Sequence, residues 1–267
     1  MRAFVAVVAT ILFHTALAAC SSAPPPRIAA YLGPEAATTP MVDELAPPGR
    51  FEAGLLVIND TFGVRSAPAL SDQSMAFLTD SLTQQLQREL PVTISQIIPS
   101  EGLMPPTDLQ AIVHVAKQHG VQYCVVAIVS SQESEVPDYL PLDGTAEQGG
   151  TKPQVSGYYA QNYALVELAL VQVETGKVVA NADGRAWASL NRLNVPVNST
   201  GYPVVHRSLQ IAPIFPTEAN AKDVLRSIAA HDASEQAVMH LSSPWRKRMS
   251  ATCHDYSLCS GSSRLLS

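Results

Sequence analysis

The sequence predicts an α/β fold: one mixed sheet of about five strands in the order β-α-β-α-β-β-β-α, with helices packed on it. Three observations predict it. Gly54–Asn59 is a short apolar run, the form of a strand buried on both faces; Val92–Ile98 alternates at first and is β-branched, and Tyr123–Val129 reads as a third strand. Segments with helical periodicity separate them, and short links between such units imply parallel strands joined by right-handed crossovers. Then the order changes. Two long apolar stretches meet at Glu174-Thr175-Gly176-Lys177, a tight turn that makes them an antiparallel hairpin.

Each element has a local cause. In the first helix Ser71 is positioned as N-cap, and Met75, Leu78, Leu82 and Leu86 recur at spacings of three and four, so they share one face. Pro91 stops it. Thr107 with Gln110 forms a capping-box start for a second helix, lined by Leu109, Ile112, Val113 and Ala116 and ended by Gly120. Residues 131–156 read as a polar insertion with Pro137, Pro141, Pro153 and Gly149-Gly150. Tyr158 to Val173 and Val178 to Leu190 are the hairpin strands. Residues 191–216 hold four prolines and read mostly as loop. A last helix is expected from about Thr217 to about Leu241, closed by Ser243-Pro244. The expected layout is a signal peptide over 1–19, a Pro-rich tether over 20–50, an α/β domain over 51–245 and a basic, cysteine-containing tail over 246–267.

Composition narrows the function. The formal charge is −6, from 17 Lys+Arg against 23 Asp+Glu, so the chain has nothing with which to neutralise a phosphate backbone, and no nucleic-acid partner is expected. The one long apolar stretch lies at the extreme N-terminus, which excludes a polytopic membrane protein. That stretch, Ala3 to Ala16 behind Arg2, has the three-part layout of a signal peptide. It ends in Leu17-Ala18-Ala19-Cys20, which resembles the bacterial lipobox. The resemblance implies lipidation at Cys20, and Ser21 after it favours sorting to the outer membrane, facing the periplasm. Ordinary secretion with an unmodified Cys20 is the alternative. The tether holds seven prolines, among them Pro24-Pro25-Pro26, and is expected to stay extended, without helix or strand.

Three further stretches resemble the CsgG/LpoB/TolB-N group of bacterial envelope proteins. They are Leu55-Leu56-Val57-Ile58-Asn59 with the helix ending Gln84-Gln85-Leu86, Ala116-Lys117-Gln118-His119-Gly120-Val121-Gln122-Tyr123-Cys124-Val125-Val126, and Leu168-Ala169-Leu170-Val171-Gln172-Val173-Glu174-Thr175-Gly176-Lys177-Val178-Val179. The resemblance implies a non-enzymatic envelope lipoprotein working through protein contacts, in assembly, secretion or activation of a synthase. Two alternatives stay open: a CsgG-like oligomeric secretion component, and an envelope hydrolase with a site outside known motifs. The pore-forming version requires membrane-spanning hairpins near 131–156 and 191–216. The prolines and acids of the first are unsuited to lipid-facing strands.

No catalytic motif is present: no Gly-x-Ser-x-Gly, His-Glu-x-x-His, Gly-x-x-x-x-Gly-Lys or Gly-x-Gly-x-x-Gly. No cofactor and no metal are expected. His231 and Glu235, four apart on a helix, suit a surface hydrogen bond better than a metal that would lack a third ligand. Cys253 and Cys259 close a short loop, and in an exported chain a disulfide is the default, with a Cys253, His254, Cys259 metal site as the alternative. Cys124 reads as a small core side chain. Arg246-Lys247-Arg248 suits a solvated helix end, or an anionic lipid or acidic partner. Partner contacts are expected on the two loop regions, at Asp138, Tyr139, Leu140, Tyr202, His206 and Arg207, because recognition tends to sit on loops held by a rigid scaffold.

Overall fold

The computed structural model describes residues 23–38, 47, 49–100, 102, 103, 105, 109–141, 154–194, 201–208 and 212–259, with side chains as far as Arg246 in the last helix. Its centre is a six-stranded mixed sheet: β1 (Phe51–Asp60), β2 (Val92–Ile98), β3 (Tyr123–Pro141), β4 (Gln154–Gln172), β5 (Lys177–Leu193) and β6 (Val204–Arg207), in spatial order β2-β1-β3-β4-β5-β6. β1 runs parallel to both β2 and β3, with Leu55 beside Ile97 and Val125. The two crossovers predicted from periodicity are therefore present. β4, β5 and β6 follow antiparallel. The strand count is six rather than five, because Val204–Arg207 pairs with Ala188–Asn191 inside the region read as loop.

The helices are α1 (Ile28–Leu32), α2 (Pro34–Thr38), α3 (Asp72–Glu89), α4 (Leu109–Gln118) and α5 (Ala221–Cys259). Ser71 caps α3, its Oγ accepting from the Ser74 amide at 3.2 Å. Leu78, Leu82 and Leu86 are buried and Met75 packs beside them, as the spacing predicts. Ile112, Val113 and Ala116 of α4 are buried on the other face; the predicted cap at Thr107 lies outside the described residues. Gly176 turns the β4–β5 hairpin at φ +64°, a conformation that a Cβ would strain.

α3 and α5 share one face of the sheet; α4, α1 and α2 cover the other. On the first face Leu55, Val125, Leu168 and Ala188 join one core with Leu225, Ala229, Ala233 and Trp245. On the second, Leu56, Ile58, Val126, Ile128 and Val171 pack with Tyr31, Leu32 and Ile112. α5 lies unusually close to β5. A Cβ on Gly184 would stand 2.1 Å from the Ala233 carbonyl oxygen and 2.4 Å from the Ala237 amide nitrogen. The small side chains at Ala229, Ala230, Ala233 and Ala237 allow this approach.

Three expectations need correction. Residues 131–141 are not an insertion loop: β3 continues through Glu133, Glu135 and Pro137, paired residue by residue with β4 as far as Gln154. Its acids are paired within the fold: Arg226 and Lys222 reach Glu133, and Lys222 and Arg192 reach Glu135. The last helix is not closed by Pro244, which lies inside α5; burial of Leu241, Ser242 and Trp245 around it outweighs one lost backbone hydrogen bond. Finally, the expected spacer contains α1 and α2, with Ile28, Tyr31, Leu32 and Ala36 buried in the second core.

Candidate functional site

Two regions carry unusual chemistry. The first is the seat of the N-terminal segment. β1 ends in Asp60, and β4 carries Glu167 between Val166 and Leu168. Both acids are almost fully buried, and a buried carboxylate needs partners. The N-terminal segment supplies them. Arg27 Nε donates to Asp60 Oδ2 at 2.5 Å, and the Tyr31 hydroxyl donates to Asp60 Oδ1 at 3.1 Å. The backbone N–H groups of Arg27 and Ile28 donate to Glu167 at 2.6 and 3.1 Å. Burial, with the neighbouring Asp60 carboxylate, raises the Tyr31 hydroxyl above its ordinary pKa. The hydrogen bond to Asp60 raises Arg27. Glu167 is raised by burial, against the pull of the two amides. Further along, Asn181 Nδ2 donates to the Ala36 carbonyl at 2.7 Å. The segment is thus held at both ends.

The second region is the distal half of the sheet, where β3, β4 and β5 run past the end of β1. Here α5 covers one face. Arg207 of β6 forms an ion pair with Asp232 of α5, whose side chain is inaccessible to solvent. Burial pushes the Asp232 carboxyl up, but His231 and Arg207 together hold it below its ordinary value. The ligand atoms of His231, Asp232 and Glu235 lie within 4.8 Å of one another. Arg207 already supplies the charge that Asp232 requires, so a cation there would meet a guanidinium. The opposite face carries Gln132, Ser134, Val136, Tyr159, Gln161, Tyr163 and Trp187, none of them fully buried. Val136 is 52% exposed, and Tyr139, on the α5 face beyond the helix, is 69% exposed.

The predicted partner residues do come together at this distal end, but not as loops. Asp138, Tyr139 and Leu140 belong to β3, and His206 and Arg207 to β6. The Tyr202 hydroxyl donates to the Pro141 carbonyl at 3.0 Å, joining the two regions. Asp138, Tyr139 and His206 are exposed; Leu140 is buried and Arg207 is committed to Asp232. Cys20 lies outside the described residues. Cys253 and Cys259 fall within the backbone of α5, and their side chains lie outside the described residues. Cys124 is buried, and burial pushes its thiol up to about 12, as expected of a packing residue. Arg246 pairs with Glu89 of α3. Reasoning from sequence missed Arg27, Asp60 and Glu167. The available signal was an acid inside each of two otherwise apolar runs.

Among the described residues no helix is long and apolar enough to cross a membrane. No family model matches the chain, and no curated protein does. Among solved structures, the PelC dodecamer from Paraburkholderia phytofirmans aligns at 12% identity and a TM-score of 0.28, over 74% of this chain and 93% of that one. Its L103M form aligns at 10% and 0.31, over 76% and 93%. A neuraminyllactose-binding hemagglutinin homolog from Helicobacter pylori aligns at 12% and 0.35, over 76% and 95%. Likenesses at this level say nothing about function.

Proposed function

We propose that the chain is an envelope lipoprotein, acylated at Cys20 and sorted to the periplasmic side of the outer membrane, that acts by holding protein partners rather than by catalysis. The observation that carries the contact role is the distal sheet. Exposed Val136 and Tyr139 stand on strands that continue past the helical layer of the second core, where apolar side chains have no internal packing function. The two lie on opposite faces of β3, so each face of the arm offers an exposed apolar side chain to a partner. Several neighbouring acids are held in ion pairs: Asp232 with Arg207, and Glu133 and Glu135 with Lys222, Arg226 and Arg192. The lipobox resemblance of Leu17–Cys20 supports the anchor. An anchor raises the effective concentration of membrane-bound partners, so weak contacts suffice.

The test is photocrosslinking in intact cells from a reactive residue placed at Tyr139, read by mass spectrometry. A reproducible envelope partner, lost on Val136→Asp, is the expected result. Purified protein with robust hydrolytic turnover and no reproducible crosslink would favour the hydrolase alternative instead.

A further inference from the structure

We infer that the loop Thr61–Arg65 is a bilayer contact, with Phe62 and Val64 seated among the lipid headgroups and upper acyl chains. The inference rests on the anchored reading above, and four observations point to it. Phe62 is 53% and Val64 87% exposed, two apolar side chains on one five-residue loop. Exposed Arg65 follows them, a cation suited to anionic headgroups.

The loop is also held in place rather than loosely attached. At its start the Phe62 amide donates to Asp60 Oδ1 at 3.1 Å. At its end the Ala67 amide donates to the Ser131 carbonyl at 2.8 Å, and Gln132 Nε2 donates to the Val64 carbonyl at 3.3 Å. The two apolar side chains are therefore presented outward by a fixed frame, at little ordering cost on insertion.

The third observation is proximity to the anchor. The carboxylate that fixes the start of the loop is the one that binds Arg27 and Tyr31. Six residues, Ser21 to Pro26, separate Arg27 from Cys20. Fully extended, that stretch spans at most about 25 Å. The stretch from Ile28 to Thr38 is docked as α1 and α2. A lipid on Cys20 therefore holds the Asp60 end of β1 close to the bilayer, with Phe62 beside it.

The fourth is the economy of the remaining surface. Phe77, another exposed aromatic, stacks on His231 at 5.8 Å between ring centres, whereas Phe62 stacks on no ring among the described residues. The occupant we assign is a phospholipid surface, not a protein groove, because the anchor fixes which surface lies within reach.

The test uses the full mature chain with vesicles of phosphatidylethanolamine and phosphatidylglycerol containing brominated acyl chains. Val64→Trp is expected to shift its emission to the blue and to be quenched by the brominated lipid; Val136→Trp, on the distal arm, is expected to show neither. In the unacylated Cys20→Ser chain, Phe62→Ser should lower vesicle partitioning by about tenfold. Val64→Trp that stays unquenched in protein shown by mass to be acylated and vesicle-bound overturns the loop assignment and leaves the anchor standing. Absence of acyl mass on Cys20 overturns the anchor, and the Cys20→Ser partitioning then decides the loop by itself: a tenfold loss upholds it, no change rejects it. Phe62, Val64 and Val136 are all exposed, so folding is not at issue.

Discussion

The third strand obeys two different rules along its length. From Cys124 to Val129 every residue is buried, because helices cover both faces of the sheet. From Ser131 to Tyr139 none is buried, although the backbone pairing with β4 continues without interruption. Hydrogen bonding is therefore the same in the two halves; layering is what differs. The proximal half draws its stability from apolar burial on both faces. The distal half draws it from backbone pairing and from charges laid against α5. A side chain in the distal half is free to serve a partner, because the fold makes little use of it.

The largest expected effect is the one that appears to break this comparison. Arg207 is distal, yet Arg207→Ala strands a buried carboxylate and should cost about 3–5 kcal/mol in denaturant unfolding. Its pH dependence identifies the cause. In the parent the folded-state pKa of Asp232 is depressed, so its contribution is full above the unfolded value and is lost as pH falls through the folded one. Without Arg207 only His231 opposes burial, the folded pKa moves up, and acidification should penalise the variant less than the parent. An unchanged acid limb would mean that Asp232 is not charged by this pair. Next is Ile128→Ala in the proximal half, fully buried in the second core; about 2–5 kcal/mol should be lost. A loss below about 1 kcal/mol would mean that the face of the sheet under α1, α2 and α4 is not packed as described.

Tyr31→Phe removes one hydroxyl from Asp60 and keeps the ring. A loss of about 0.5–1.5 kcal/mol is expected. It should be accompanied by faster amide exchange in residues 28–38 and not in β4; uniform acceleration would mean that the segment does not open separately. The smallest effect is that of Val136→Ala. Stability should change by no more than about 0.5 kcal/mol, while crosslinking from the distal end falls. A large destabilisation there would erase the distinction between the two halves.

Much of this fold was legible, for local reasons. Helix faces follow from spacing, as at Leu78, Leu82 and Leu86, and strands buried on both faces show as continuous apolar runs. The distal extension was not legible. Its strands alternate polar and charged residues, and the partners that Glu133 and Glu135 meet, Lys222 and Arg226, arrive from nearly a hundred residues away. The continuation of α5 through Pro244 was hidden for a similar reason, since the burial of Trp245 that sustains it is tertiary. The docked segment was hidden by its prolines. They do forbid regular structure over Pro24–Pro26, but the helix that matters begins just after them. Of the candidate residues, Asp138, Tyr139, Leu140, His206 and Arg207 lie on strands where loops were expected, since exposure along a strand and exposure in a loop have the same polar signature.

Asp60 has a mechanical consequence. Any pull on the chain from its N-terminus is borne first by the Arg27 guanidinium on Asp60 and by the two amides on Glu167, before it reaches a strand. Those bonds can yield and re-form while the ladder of β1 against β3 carries no load. The segment is in effect a fuse ahead of the sheet, and Tyr31, buried behind it, adds a further bond on Asp60.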